Sequence, residues 1–127
     1  MTSPQHISAA EWRIGIDLPW PAKALHPNER PHWRKKAAAV KSARFAACQM
    51  AKPIGKIGED AIKVTCIFSP PLPKRNRDLD NLIAACKAYF DGIADAIGVN
   101  DSCFRHQEPV WGIPTKGGKV SIILEAA

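Results

Sequence analysis

The sequence has no apolar run that approaches the ~20 residues needed to cross a membrane. Its first residues, MTSPQHISAAEWR, also lack a charged segment followed by an apolar core, and so do not resemble a signal peptide. We therefore expect a cytoplasmic protein with no membrane association. A chain of 127 residues can bury a hydrophobic core, and we expect a single domain over residues 1–127.

Closely spaced cysteine pairs are also missing. None of the four cysteines belongs to a CxxC pair, and only Cys103 lies near a histidine, His106. Structural zinc sites usually need tighter paired spacing, so the pattern favours buried thiols in a cytosolic protein. There is no Gly-rich loop with a Walker lysine, and no histidine is arranged with a nucleophile, so we expect no small-molecule cofactor.

Acidic residues are scarce in one segment and concentrated in another. The net charge is +6, which favours an anionic partner. From Lys23 to Lys52 there are eight Lys or Arg and one acid, Glu29, whereas five Asp and one Lys lie from Asp78 to Asp101. One segment is therefore expected to attract anions, while the other collects carboxylates.

Hydrophobic periodicity predicts an α+β fold with a small mixed or antiparallel sheet and two main helices. The predicted order is β-α-β-α-β-β, at about residues 12–18, 29–50, 61–69, 80–97, 104–113 and 119–125. Asn28 is the expected N-cap of the first helix, with Pro31 in its first turn. The pair Gly117–Gly118 is typical of a hairpin turn before the last strand.

Two apolar stripes at helical spacing are expected to face the core. In the first helix the stripe would include Trp33, which we interpret as core rather than as a base-stacking platform. The first stripe comprises Trp33, Ala37, Val40, Ala43, Ala47 and Met50. The second comprises Leu82, Cys86, Tyr89, Phe90, Ile93 and Ile97.

The stretch RNRDLDNL places two carboxylates directly after a basic segment. If the backbone is extended there, Asp78 and Asp80 point to one side, and they repel unless a cation intervenes. Mg²⁺ suits such oxygen ligands, and Lys74, Arg75 and Arg77 are placed to hold a phosphate backbone. Together these groups are typical of metal-assisted phosphodiester hydrolysis.

Structural roles explain the same carboxylates equally simply. Asp80 would serve as the N-cap of its helix, and Asp78 would pair with Arg75 or Arg77 on the surface. Asp101, beyond the end of the same helix, adds a third carboxylate to the metal hypothesis, although alone it would be a turn-forming residue.

Several motifs resemble the RusA family of Holliday junction resolvases, which are common in prophages. They are LPWP, HPNERPHWRKK, RDLDNL, IGVNDSCF and PTKGGKVSIILE, and the similarity extends from about residue 14 to residue 125. The resemblance implies a homodimeric, Mg²⁺-dependent endonuclease, with Mn²⁺ as a substitute, that cuts four-way DNA junctions in recombination and repair. It also implies that Asp78, Asp80 and Asp101 bind the metal and that Arg77 is a basic partner there.

Two positions depart from the family pattern. Asn100 stands where the family often has an acid, and Ala84 stands where it commonly has a lysine. Lys87, one turn later, is the candidate to replace that catalytic lysine. Its alternative interpretation is a solvated residue that pairs with Asp91 at i, i+4.

Cationic residues are expected to contact DNA phosphates in two places. Lys116 and Lys119 flank the predicted Gly-Gly turn. On the first helix, four residues fall close to one side: Arg30, Arg34, Lys41 and Lys52.

The length of the second predicted helix bears on how the metal site forms. A continuous helix from Asp80 to Ile97 would span ~27 Å and place Asp101 at its far end. A two-fold dimer would then combine Asp78 and Asp80 of one subunit with Asp101 of the other. Two other functions stay open: a non-catalytic nucleic-acid-binding module, and a regulatory protein that binds a partner through an apolar helix face.

Overall fold

A computed structural model describes residues 12–27, 29–30, 32–72 and 77–127. The expected N-cap Asn28, Pro31, and the basic residues Lys74 and Arg75 lie outside these ranges. The predicted α+β class with a mixed sheet is confirmed, and the described residues form three α-helices rather than the two main helices expected. The elements are β1 (Arg13–Pro19), α1 (Trp33–Ala51), β2 (Ile62–Ser69), α2 (Leu79–Ala85), α3 (Lys87–Ile97), β3 (Phe104–His106), β4 (Val110–Trp111) and β5 (Lys119–Ala126).

The sheet has the strand order β1-β5-β2-β3, and β4 also pairs with β2. Strand β5 is antiparallel to both β1 and β2, and Ile122 lies opposite Ile16 on one side and Cys66 on the other. The short strands β3 and β4 run parallel to β2 at its outer side. One face carries the core, because alternate residues of the long strands are buried, as predicted for Ile62 to Phe68.

Helix α3 packs closely on α1 because small residues line the contact. Ala43, Ala47 and Ala51 are buried on α1. A Cβ atom added to Gly92 of α3 would overlap the backbone carbonyl oxygen of Arg44 and lie 3.0 Å from the Ala47 Cβ. The whole stripe predicted for the second helical region is buried: Leu82, Cys86, Tyr89, Phe90, Ile93 and Ile97.

The prediction for α1 is wrong at its start and over much of its apolar stripe. The helix begins at Trp33, where the Nδ1 atom of His32 accepts a hydrogen bond of 3.2 Å from the Arg34 N–H. Residues 32–38 are all exposed, so the first two turns extend past the part of α1 that packs on α3. Consequently Trp33 is 68% exposed and is not core, and Val40 and Met50 are exposed as well.

The second helix is not continuous. It breaks at Cys86, whose φ of −91° and ψ of 3° leave the helical region, and the Cys86 N–H bonds to the Ile83 carbonyl at 3.0 Å. Strand 104–113 is likewise two strands, since the chain leaves the sheet around Pro109, which has no N–H to donate.

The predicted β-hairpin does not form, although its turn does. Gly117 and Gly118 have φ values of 77° and 70°, and the Gly118 N–H bonds to the Thr115 carbonyl at 3.2 Å. Both sides of β5 are already paired, with β1 and β2, so β4 joins the sheet beside β2 instead. No helix within the described residues has the length and apolarity that a membrane crossing requires.

Candidate active site

The first pair of predicted carboxylates lies at the start of α2. Asp78 has an extended backbone, and its Oδ1 atom accepts a hydrogen bond of 2.9 Å from the Asp80 N–H. Asp78 is therefore the N-cap, and the alternative that gave this role to Asp80 is wrong. Because Leu79 is already helical, the extended arrangement of the two side chains is not formed. Both carboxylates are exposed at a helix N-terminus, where backbone N–H groups favour negative charge.

Arg77 lies beside this pair, next to a surface cavity. Its guanidinium carbon is 5.4 Å from the centre of the Trp20 ring, within the range of a cation–π contact. Trp20 in turn meets Phe68 edge-on, which ties it to the core. Arg77, Trp20 and Asp78 line a cavity of about 390 Å³ together with Pro21, Lys23, His26, Asn81 and Leu82.

The third predicted carboxylate, Asp101, meets Lys87. The Nζ atom of Lys87 donates to Asp91 Oδ1 at 2.8 Å and to Asp101 Oδ2 at 3.0 Å. The i, i+4 pair with Asp91 is confirmed, but the same ammonium also contacts Asp101. Asn100 supports this geometry, since its Oδ1 atom accepts a bond of 2.9 Å from the Ser102 N–H and caps the 3₁₀ turn Asp101–Cys103.

Electrostatics keeps this lysine charged. Hydrogen bonds to Asp91 and then to Asp101 raise the pKa of Lys87, and the hydrogen bond from Lys87 lowers the pKa of Asp101. An ammonium whose pKa lies above its ordinary value stays protonated at neutral pH. Lys87 is therefore suited to act as a cation and not as a general base.

A cleft of about 300 Å³ beside Asp101 contains two acids that the sequence did not identify as site residues. Asp91 and Asp95 line it with Asp101 and Arg44. Arg44 donates to Asp95 through Nε at 2.6 Å and Nη2 at 2.8 Å, which raises the pKa of Arg44 and lowers that of Asp95. The sequence did contain a signal for these two acids, because Asp91 and Asp95 are spaced i, i+4 on one predicted helix within the acidic segment.

The predicted site residues thus fall into two groups. Arg77, Asp78 and Asp80 lie at the start of α2, whereas Lys87 and Asp101 lie beside α3. Among the residues that the structure describes, no group of three or more His, Cys, Asp or Glu side chains could hold a metal ion. The expectation of a straight helix of ~27 Å between the groups is wrong, because the helix breaks at Cys86 and Asp101 returns to Lys87. Assembly across a dimer stays a prediction.

Most of the described cationic residues predicted to contact DNA are exposed, whereas Arg77 is half-buried. The exposed residues include Arg30, Arg34, Lys41, Lys52 and Lys116. Arg34 also lies over the Trp33 ring, 5.1 Å from its centre. Lys119 pairs with Asp17 at 3.6 Å, and Lys74 and Arg75 are outside the described residues.

The expectation that the four cysteines are buried thiols is correct for Cys66 and Cys86 and wrong for Cys48 and Cys103. Burial raises the pKa of the Cys66 thiol to about 12, and it raises the pKa of Cys86 as well. Cys48 and Cys103 are only partly buried. The two buried thiols are therefore uncharged at neutral pH and are not suited to nucleophilic chemistry.

Known proteins include a relative with substantial sequence identity to this chain. No protein-family model matches the chain. An uncharacterized protein of Xylella fastidiosa (strain Temecula1 / ATCC 700964) is 43% identical over 117 residues, which cover 86% of this chain and 74% of the relative. The chain therefore belongs to the same protein family as this uncharacterized Xylella protein.

Proposed function

We propose that this protein is a Mg²⁺-dependent, structure-specific endodeoxyribonuclease that cuts four-way DNA junctions in recombination and repair. The observation that carries the proposal is the contact between Lys87 and Asp101. The sequence departs from the RusA pattern because Ala84 replaces a lysine, and this contact supplies a lysine beside the downstream acid. Asn100, the other departure, retains a side-chain oxygen and uses it to cap the turn that carries Asp101.

The residues at the start of α2 fit a magnesium ion. Mg²⁺ uses one or two protein carboxylates, keeps several waters and also binds substrate phosphates. Asp78 and Asp80 supply two exposed carboxylates, and capping engages only the Oδ1 atom of Asp78 in a bond to the Asp80 N–H. When bound, the metal would lower the pKa of a water and neutralise charge on the scissile phosphate.

The other groups have roles that follow from their charge. Arg77 is adjacent to Asp78 and would hold a phosphate next to the metal-binding carboxylates. Lys87 would stabilise negative charge that develops on the phosphate, since its ammonium stays protonated. Asp101 would complete the site as a third carboxylate, either within one chain or from a second subunit.

The proposal is tested with a labelled four-way junction, incubated with the protein in the presence and absence of Mg²⁺. We expect cleavage only with Mg²⁺, or with Mn²⁺ in its place. Asp80→Asn should abolish cleavage and leave junction binding intact or tighter, because it removes negative charge near phosphates. Glu108→Gln is the matched control, since Glu108 is an exposed acid between β3 and β4 and belongs to neither group of predicted site residues.

If Asp80→Asn cleaves the junction at the wild-type rate, Asp80 is not part of the proposed metal site. A wild-type protein that binds junctions but never cuts them would support the second candidate, a non-catalytic DNA-binding module. That candidate is favoured by the structural roles of the acids, since Asp78 caps α2 and Asp95 forms an ion pair with Arg44.

A further inference from the structure

The solvent side of α1 carries an aromatic ring within a row of cations. Arg34, Lys41, Phe45 and Lys52 are separated by seven, four and seven residues, so they lie on one side of the helix. Lys52 continues the row because its backbone remains helical, with φ −51° and ψ −44°. We call these four residues the α1 row. All four are exposed.

Phe45 has no part in the core. Its side chain is 64% exposed, and it lies on the side of α1 opposite the buried Ala43, Ala47 and Ala51. Leaving a phenylalanine in water forgoes the stabilisation that burying it would provide. The α1 sequence contains no acid, so the charged residues that neighbour the ring along the helix are all cations. Such a surface fits a polyanion that also presents flat apolar groups.

A residue next to the α1 row in the sequence lines the acidic cleft of the candidate site. Arg44, the residue before Phe45, lines that cleft and binds Asp95 through two hydrogen bonds. From Arg34 to Ala51 the helix rises about 26 Å, which matches roughly seven or eight nucleotides at 3.4 Å per step. A strand that follows the α1 row would therefore run along the solvent side of α1, with Arg44 between it and the acidic cleft.

We propose that Phe45 stacks on the exposed face of a nucleobase at the branch point of the DNA, where the stack of an arm ends, while Arg34, Lys41 and Lys52 hold phosphates on either side of it. Every base has a flat face, so stacking of this kind is tolerant of sequence and selects for bases whose face is not covered by a neighbouring base pair. The inference rests on the proposed function for the identity of the ligand as branched DNA. It adds a residue that distinguishes a junction from a duplex, a property that cations alone do not supply.

The test compares binding of a four-way junction and of a duplex with the same total length, without Mg²⁺ so that no cleavage occurs. Phe45→Ala should weaken junction binding by roughly fivefold to a hundredfold, the range expected for one lost base stack. Duplex binding should change less than about twofold, because the base faces inside a continuous duplex are covered by their neighbours. Phe45→Trp should restore junction affinity, because the indole ring also stacks.

Met50→Ala is the matched control, because Met50 is an apolar residue of α1 with 52% exposure that lies outside the α1 row. It should leave both affinities unchanged. Lys41→Ala should weaken both DNAs alike and reduce the salt dependence by roughly one unit in a log–log plot.

Three results would overturn the inference. The first is a Phe45→Ala protein that binds the junction as tightly as the wild type. The proposed function would survive this result if the wild type still cuts junctions with Mg²⁺. The second is an equal loss of junction and duplex affinity. The third is a change in oligomeric state of Phe45→Ala by sedimentation, which would assign Phe45 to a contact between copies of the chain.

Discussion

Mixing two inactive variants would show whether the metal site is assembled from one subunit or two. The variants are Asp80→Asn and Asp101→Asn. Each removes one predicted ligand, and each alone should be inactive in either arrangement. In a composite site, a heterodimer of the two variants contains one intact site and one site with both lesions.

The structure indicates how large a gap a single chain leaves. Asp80 and Lys87 are seven residues apart, which corresponds to about 10 Å of helical rise. Asp101 lies 3.0 Å from the Lys87 Nζ atom, at the end of a flexible side chain. Ligands of one Mg²⁺ must lie within ~4 Å of each other, given a coordination distance of ~2 Å. In the composite arrangement, Asp101 of a second subunit would supply the third carboxylate beside Asp78 and Asp80.

The expected activity follows from the statistics of mixing. Random exchange between equal amounts of the two variants makes about half of the dimers heterodimers, and each has one of two sites intact, so nicking should recover to about one quarter of the wild-type level. The assay counts single-strand nicks in a labelled junction after the chains have been unfolded and refolded together. Paired cuts should remain absent, since they need two intact sites.

A positive control makes a negative result meaningful. Wild type refolded with a large excess of Asp80→Asn places nearly all wild-type chains in heterodimers, so single nicks should replace paired cuts in both arrangements, because each heterodimer keeps one undamaged site. If single nicks appear in that mixture while the mixture of Asp80→Asn and Asp101→Asn stays at background, the composite site is refuted and the ligands come from one chain.

Three further predictions concern packing and charge. Gly92→Ala should lower the free energy of unfolding by about 1–3 kcal/mol in denaturant titrations, because the added methyl group overlaps the Arg44 carbonyl. Gly58→Ala is the control and should leave the free energy of unfolding unchanged, since nothing lies within 4 Å of its added Cβ. Equal stability of the two variants would contradict the α1–α3 contact. Lys87→Met should raise the pKa of Asp101 in an NMR titration, because the Lys87 cation holds this pKa below its ordinary value in the wild type. Lys87→Arg should keep the pKa of Asp101 low. An unchanged Asp101 pKa in Lys87→Met would argue against the contact. Arg34→Ala should reduce the salt dependence of junction binding by roughly one unit in a log–log plot, and an unchanged slope would remove this residue from the DNA interface.

Local patterning determined much of the fold. The alternation of apolar residues in β2 correctly predicted the buried face of that strand. The apolar stripe that ends at Ile97 correctly predicted the buried side of the second helical region. Both patterns work because a strand or a helix places residues at a fixed period, which the chain encodes over a few neighbouring positions. The acidic motif at Asp78 and the downstream Asp101 were likewise visible from residue type and spacing alone.

Partners distant in the sequence were decided only by tertiary structure. The pattern of α1 does not reveal that its first turns lack a neighbour to cover Trp33, because burial depends on where another element ends. The Gly117–Gly118 turn is encoded locally, yet β5 pairs with β1 and β2, because these strands occupy both of its sides.

In the candidate site, too, the sequence identified residues whose contacts only the tertiary structure decided. The sequence identified Lys87 and Asp101 separately and left open whether the lysine only paired with Asp91. Only the return of the chain after α3, with the break at Cys86, placed one ammonium between the two carboxylates. A residue's chemistry is set by its type, but its partners are set by the path of the whole chain, and that path depends on contacts between residues far apart in the sequence.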